Sequence, residues 1–257
     1  LIFTVAIFVF VQEASDYIYV PLINSLGFIV TGILALWIVF RDFKIDFRLP
    51  SLGQIGRDLK EGWYIFVSNI SGNLYGQGTT FILGLVASNE VVGYYAAAER
   101  LMKAIASLSQ PLAQSIYPYI SRLYAKNMNL KTNFIRLILF SSISAVALTI
   151  LVFLQSDLII KLLFGEEMLR SSINLKILSI AMFFTILNVI KQPYIYVLRK
   201  DIQNLYMYMF TGLSFVPICF LLSLCFKDIG TSLSILYVEI IIFLWGMYIL
   251  KDLWRSK

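Results

Sequence analysis

Two cations inside an apolar stretch are the first residues in this sequence that could do chemistry. Arg100 and Lys103 are three residues apart, and Ser107, Gln110 and Gln114 follow at spacings of four, three and four. Residues spaced by three and four share one face of an α-helix. Because lipid does not tolerate a polar face with two positive charges, the pattern predicts a water-filled cavity.

Other polar side chains occur in or beside apolar segments. Asn69, Asn73 and Thr80 lie close to one face of the preceding segment, with Gln77 beside them. Asp16 and Glu99 are carboxylates available for ion coupling or charge pairing. Two interpretations stay open for this set. The side chains could line a cavity, or they could serve interhelical hydrogen bonds and ion pairs, such as one between Glu99 and a nearby cation.

Two further charges lie within later apolar segments. Lys191 is about two turns from the end of its segment and precedes Pro193, so we expect its ammonium group to snorkel to the membrane surface. Glu239 is a second isolated carboxylate, and the sequence gives it no clear role.

Several kinds of chemistry find no support in the sequence. There is no histidine, which removes the commonest metal ligand and proton carrier. Cys219 and Cys225 are six residues apart in one apolar segment, a spacing that suits neither a disulfide nor a metal site. No phosphate-binding glycine loop and no nucleophile with a partner base can be found. We therefore predict no catalytic residue, metal or cofactor, and no nucleic-acid partner.

The surrounding segments are those of an α-helical integral membrane protein. Hydrophobic residues make up 59% of the chain and charged residues 14%, with a mean hydropathy of +0.81, whereas soluble domains carry about 25% charged residues. A helix needs about 20 apolar residues to cross a bilayer. About eight segments are predicted: 1–11, 17–40, 62–87, 92–118, 134–155, 172–197, 204–226 and 230–250. The first, at a chain start without methionine, reads as the end of a truncated helix.

The basic residues predict the orientation of these segments. Loops on one side hold fourteen Lys and Arg, and loops on the other side hold three, namely Lys161, Arg170 and Lys227. Positive charge accumulates on the cytoplasmic side of membrane proteins, so we expect the C-terminus to be cytoplasmic. The fourteen are Arg41, Lys44, Arg48, Arg57, Lys60, Arg122, Lys126, Lys131, Arg136, Arg199, Lys200, Lys251, Arg255 and Lys257.

Several stretches together resemble a known transporter family. The chain is similar to the Wzx-type polysaccharide (O-antigen) flippases of the multidrug/oligosaccharidyl-lipid/polysaccharide exporter superfamily. The resemblance covers essentially the whole chain and is most specific over residues 61–122. It is carried by Phe66-Val67-Ser68-Asn69 through Gly84, Val92 to Arg100, Gln110-Pro111-Leu112, Ile116 to Ser121, Asp16-Tyr17 and Leu163 to Glu166.

The resemblance implies a MATE-like fold in which two six-helix lobes surround a central cavity. Residues 1–40 would then be the end of the first lobe, and 62–250 would be the complete second lobe of a C-terminal fragment. Residues 41–61 would be a basic cytoplasmic linker, in which Pro50-Ser51 predicts a helix start, and 251–257 a cytoplasmic tail. Pro111 and Pro118 are expected to bend or end their helix.

The resemblance also implies a cargo. Members flip undecaprenyl-diphosphate-linked oligosaccharides across the bacterial cytoplasmic membrane. Arg100 and Lys103 would compensate the diphosphate, and four amides would bind sugar or phosphate: Asn69, Asn73, Gln77 and Gln110. The polysaccharide polymerase and the chain-length regulator become candidate partners, beside the membrane lipid itself.

Other functions remain compatible with parts of this pattern. A flippase for lipid-linked peptidoglycan precursors or a MATE-like drug exporter would share the same fold. A membrane polysaccharide polymerase or ligase, which would be an enzyme, is a more remote alternative. Such enzymes expose a large outer loop, whereas the longest predicted outer loop here, 156–170, is short.

The charge bias makes a testable prediction about topology. In the intact protein with Cys219 and Cys225 replaced by serine, a cysteine at Lys126 should resist an impermeant maleimide in spheroplasts. A cysteine at Glu166 should react, because its loop is predicted to be periplasmic. Labelling of position 126 with protection of position 166 would show that the orientation is the opposite of the one predicted.

Overall fold

The structure is a computed structural model, and it describes residues 18–42, 51–126 and 129–251, with positions 6, 10, 11, 16 and 253. The chain forms two compact units, Leu1–Lys60 and Glu61–Lys257. The described part is helical and contains no strand. Its helices are α1 (Tyr19–Asp42), α2 (Leu52–Gly84), α3 (Asn89–Ser107), α4 (Gln110–Ala125), α5 (Leu130–Phe164), α6 (Ser171–Val197) and α7 (Asp201–Ile249), with a short 3-10 turn at Glu166–Met168.

Four of the described helices, α1, α5, α6 and α7, are long and apolar enough to cross a membrane. This confirms an α-helical, multi-pass membrane protein. Of the eight predicted segments, 62–87 and 92–118 are helical but more polar than these four. Most of segment 1–11, the linker at 43–50 and most of the tail 251–257 lie outside the described residues, and the lobe boundaries stay a prediction.

Helix α2 begins with a reciprocal pair of hydrogen bonds. The amide of Gln54 donates to Ser51 Oγ at 3.3 Å, and the amide of Ser51 donates to Gln54 Oε1 at 3.1 Å. This capping box satisfies two backbone donors that a helix N-terminus leaves without partners. The helix start expected at Pro50-Ser51 is confirmed, and the end of the predicted linker belongs to the same helix as the segment after it.

The predicted segment 92–118 is two helices rather than one. Helix α3 ends at Ser107, and α4 begins at Gln110, directly before Pro111. Proline has no amide hydrogen, so Pro111 cannot donate to the Ser107 carbonyl as a continuous helix would require. The bend expected at Pro111 is confirmed. The break divides the predicted polar face between two helices, although Lys103, Ser107 and Gln110 still line one cavity.

Helix α7 folds back on itself. As a straight rod, its 49 residues would span about 70 Å, far more than a bilayer. Lys227 interrupts it with φ 52° and ψ −127°. The Ser223 and Thr231 hydroxyl oxygens then lie 2.7 Å apart, although eight residues of straight helix would separate them by about 12 Å. The turn predicted near 227–230 is therefore present.

Helix α6 is the centre of the Glu61–Lys257 unit. It packs against α3, α4, α5 and α7. Its buried apolar residues include Leu175, Leu178 and Met182, and Tyr194 packs edge-on against Phe134 of α5 with ring centroids 4.8 Å apart. Since α6 is enclosed on several sides, its polar side chains must find partners within the protein.

Contacts at the helix ends join regions that are predicted to lie on the same side of the membrane. At one end, Arg170 lies 3.4 Å from Asp228 and over the ring of Tyr94, which joins three predicted outer regions. At the other end, Lys200 Nζ donates to the Ile249 carbonyl at 2.6 Å. These contacts place the loops in two groups, while the side of the membrane that each group faces stays a prediction.

The turn in α7 depends on a residue without a side chain. A Cβ atom on Gly230 would overlap the backbone carbonyl of Leu222, so Gly230→Ala should force the two halves of α7 apart. We expect a loss of about 1–3 kcal/mol in stability, as for other overpacked sites. Thermal unfolding of the purified intact protein would measure it.

Gly93→Ala is the matched control, since a Cβ there meets no atom within 4 Å. Equal melting temperatures for the two variants would contradict the close approach at Gly230.

Candidate binding site between helices α3, α4, α6 and α7

A cavity of about 410 Å³ opens where α3 and α4 approach α6 and α7. This size is within the roughly 300–1,000 Å³ typical of small-molecule sites. Its wall combines apolar side chains, such as Met102 and Leu178, with a convergent polar set. The polar members are Glu99, Lys103, Ser107, Gln110, Thr185 and Glu239.

The charged residues of α3 form a hydrogen-bonded ion pair in this cavity. Lys103 Nζ lies 3.0 Å from Glu99 Oε1, one helical turn away. The Glu99 carboxylate also accepts from the hydroxyls of Tyr95 at 3.1 Å and Thr80 at 3.3 Å. Glu99 is thus buried with several donors, whereas the Lys103 side chain stays 48% exposed. Glu99 thus pairs with a cation of its own helix.

The structure brings together only part of the predicted site. Lys103 and Gln110 line the cavity with Glu99. Arg100 is exposed on α3 and is not among the lining residues. Asp16 belongs to the other unit. The remaining three predicted amides lie in α2, but their side chains are outside the described part of the structure: Asn69, Asn73 and Gln77.

A second polar network joins α6 to α7, and sequence reasoning did not find it. Lys191 is completely buried, so the expectation that it snorkels is wrong. Its Nζ donates to Asn188 Oδ1 at 2.9 Å and to the Ile242 carbonyl at 2.6 Å. Asn188 Nδ2 in turn donates to Glu239 Oε2 at 2.8 Å and to the Glu239 carbonyl at 3.1 Å.

Gly246 provides the space for this network. A Cβ atom on Gly246 would overlap the end of the Lys191 side chain. The ring of Phe243 lies beside the ammonium group, 5.8 Å from Nζ to its centroid. The sequence signal that could have revealed the network is a lysine in one apolar segment with a carboxylate and a glycine in another.

A second cavity, of about 390 Å³, adjoins the first. Thr185, Val189 and Glu239 line both. The second cavity adds the polar and aromatic side chains of Gln114, Tyr117, Asn188, Gln192, Tyr196 and Tyr208. Glu239 therefore lines two adjoining cavities, while Asn188 sets the position of its carboxylate.

Comparison with known proteins finds similarity to polysaccharide-biosynthesis proteins. Residues 1–124 match the family model described as "Polysaccharide biosynthesis protein". A protein of Escherichia coli strain K12, named "Putative O-antigen transporter", is 28% identical over 242 residues. The chain is thus similar to proteins that bear these descriptions. The resemblance predicted from the sequence is thereby confirmed.

The alignments differ in how much of each protein they cover. The match to the Escherichia coli protein covers 91% of this chain and 57% of that protein. A protein of the same name from Shigella dysenteriae is 27% identical over 135 residues, which cover 52% of this chain and 34% of that protein. The chain thus spans little more than half the length of the curated relatives it matches. No solved structure gives a significant match.

The network at Lys191 predicts a strong coupling between two buried charges. Lys191→Met should lower stability by about 3–5 kcal/mol, since it leaves the Glu239 carboxylate without its balancing cation. Adding Glu239→Gln should recover much of that loss. Unfolding of both single variants and the double variant in detergent would give the coupling energy.

The matched control is the exposed pair of Lys176 and Asp157, 3.0 Å apart. Its coupling, measured with Lys176→Met and Asp157→Asn, should be about 0–1 kcal/mol. A Lys191–Glu239 coupling no larger than this would contradict the buried network.

Proposed function

We propose that this chain is part of a transporter that flips undecaprenyl-diphosphate-linked oligosaccharide across the bacterial cytoplasmic membrane for surface polysaccharide assembly. The supporting observation is the cavity in which half-exposed Lys103 lies beside Gln110 and Ser107 within a membrane helical unit. A diphosphate needs a cation and hydrogen-bond donors to leave water, and this wall supplies both.

The positive charges on α3 favour an anionic cargo. Arg100 and Lys103 bring two positive charges to α3, and Glu99 brings one negative charge. The Glu239 carboxylate is balanced through Asn188 by Lys191. Each of these two networks is neutral, so the excess positive charge on the α3 side is that of Arg100, which is exposed outside the cavity, while Lys103 is partly exposed within it.

The contacts of Glu99 make an exchange of partners feasible. If Lys103 turns toward a diphosphate, the Glu99 carboxylate still accepts from the hydroxyls of Tyr95 and Thr80. Lysine carries its charge on a flexible four-carbon stem, so Lys103 can reach the cargo without movement of α3. Lys103 would thus hold Glu99 in the empty cavity and the phosphate in the loaded one.

The rest of the assignment follows from the relationship to polysaccharide transporters. We propose that the Glu61–Lys257 unit is one of two lobes that rock against each other, with the C-terminus in the cytoplasm. On this proposal, the chain alone would not transport. The polysaccharide polymerase and chain-length regulator would act on the cargo after it crosses.

The central test replaces the cations on α3. In the intact protein, Arg100→Gln with Lys103→Gln should abolish surface glycan at normal protein levels, and Lys103→Gln alone should lower it at least about tenfold. A charge-assisted hydrogen bond contributes roughly 1.5–3 kcal/mol, and about 1.4 kcal/mol corresponds to a factor of ten. Quantitative glycan immunoblots and membrane protein blots would give the two readouts.

Lys176→Gln is the matched control, because Lys176 also pairs with a carboxylate at 3.0 Å but lies outside both cavities. It should leave glycan display unchanged. Normal display in the double variant would remove the diphosphate role from Arg100 and Lys103. Unchanged glycan in a strain without the protein, with impaired drug efflux, would favour a drug exporter.

A further inference from the structure

The second cavity has the composition of a carbohydrate site. Tyr117, Tyr196 and Tyr208 contribute aromatic rings, and Gln114 and Gln192 contribute amides. Aromatic rings offer flat apolar faces with a polar edge. Amides can donate and accept at the same time, as the hydroxyl groups of a sugar also do. The cavity therefore offers a sugar ring both a face to lie on and partners for its hydroxyls.

One residue that lines this cavity carries a donor without a partner. The Nε2 atom of Gln192 is buried and has no hydrogen-bond partner among the described residues. Its Oε1 accepts from the hydroxyl of Tyr208 at 3.4 Å, so the orientation of the amide is set. A buried donor without a partner costs about 1–3 kcal/mol. A ligand oxygen in the cavity would remove that cost.

An acceptor is fixed across the same space. Asn188 Nδ2 donates to the Glu239 carboxylate at 2.8 Å, and Lys191 Nζ donates to Asn188 Oδ1 at 2.9 Å. The carboxylate therefore has a set direction, and a buried cation balances its charge. This balance makes Glu239 a weaker partner for an organic cation than an isolated carboxylate would be. It leaves the remaining lone pairs of Glu239 available to hydroxyl donors.

We propose that this second cavity, between Gln192 and Glu239, binds a neutral sugar ring of the cargo. Gln192 Nε2 donates to a ring substituent, Glu239 accepts from a hydroxyl, and the tyrosines cover the apolar face. The proposal rests on the proposed function and extends it. Thr185 and Val189 line both cavities, so a diphosphate beside Lys103 and its attached sugar would occupy neighbouring spaces. The second cavity would then select among glycans.

Ligand-observed NMR on the purified intact protein tests this with separate probes for the two cavities. The sugar probes are glucose, galactose and N-acetylglucosamine, each followed by saturation transfer. The anion probe is inorganic pyrophosphate, followed by the broadening of its phosphorus signal. At least one sugar should give saturation transfer. Gln192→Met should weaken that sugar about fivefold, the effect of losing one neutral hydrogen bond, while pyrophosphate binding stays unchanged.

Gln192→Glu is a second variant that keeps the side-chain shape and the acceptor for Tyr208 but removes the donor. It should weaken the sugar by a similar factor, and it decides the question if Gln192→Met does not fold. Gln155→Met is the matched control, because Gln155 is exposed on α5 and outside both cavities. It should bind the sugar as the unchanged protein does.

Three results would overturn the proposal. They are saturation transfer to none of the sugars, equal sugar binding with and without the Gln192 donor, and displacement of the sugar by tetramethylammonium at equal concentration. The last would indicate an organic-cation site.

Lys103→Gln separates this proposal from the function on which it rests. If it abolishes pyrophosphate binding and leaves sugar binding intact, both stand. If it leaves pyrophosphate binding intact while Gln192→Met still weakens the sugar, the sugar site stands and the diphosphate assignment fails.

Discussion

The packing of the helical unit depends on one buried ammonium group, that of Lys191. An unpaired cation costs several kcal/mol in a protein interior, so its surroundings must supply acceptors. Asn188 and the Ile242 carbonyl do so, Asn188 carries the interaction on to Glu239, and Gly246 leaves the necessary room. These contacts fix the rotation of α6 against the second half of α7. That rotation brings Glu239 to the walls of both cavities. The position of one buried charge therefore determines where this carboxylate lies.

Two interruptions of helix geometry give the cavities their shape. The break before Pro111 separates α3 from α4, and Lys103 and Ser107 before it line the first cavity together with Gln110 after it. Lys227 reverses α7, so that its second half returns beside α6 and places Glu239 opposite Lys103. Without either break, the polar side chains would lie along separate helix faces. Irregular backbone at membrane depth is tolerated only where the protein or a cavity can satisfy it.

Sequence patterns could predict what depends on local order along the chain. Hydropathy indicated the helical membrane class, and proline chemistry indicated the break at Pro111. Lys103 and Gln110 could be placed at a cavity because three- and four-residue spacings define a helix face. Local patterns miss the Lys191 network, because its members are 51 residues apart in sequence and meet only through the packing of α6 on α7. Snorkelling was expected because Lys191 is near a helix end, but the enclosing helices decide its exposure.

The two charge networks differ in a way that bears on transport. Lys103 is half-exposed, and its partner Glu99 keeps hydroxyl donors if the pair separates, so this network can change partners at low cost. Lys191 has no exposure, and separating it from Asn188 would strand a charge inside the protein. On the proposed function, the first network would bind and release an anion repeatedly, and the second would keep the helices in register. A carrier needs both, because its cargo must exchange contacts while the wall of the cavity keeps its shape.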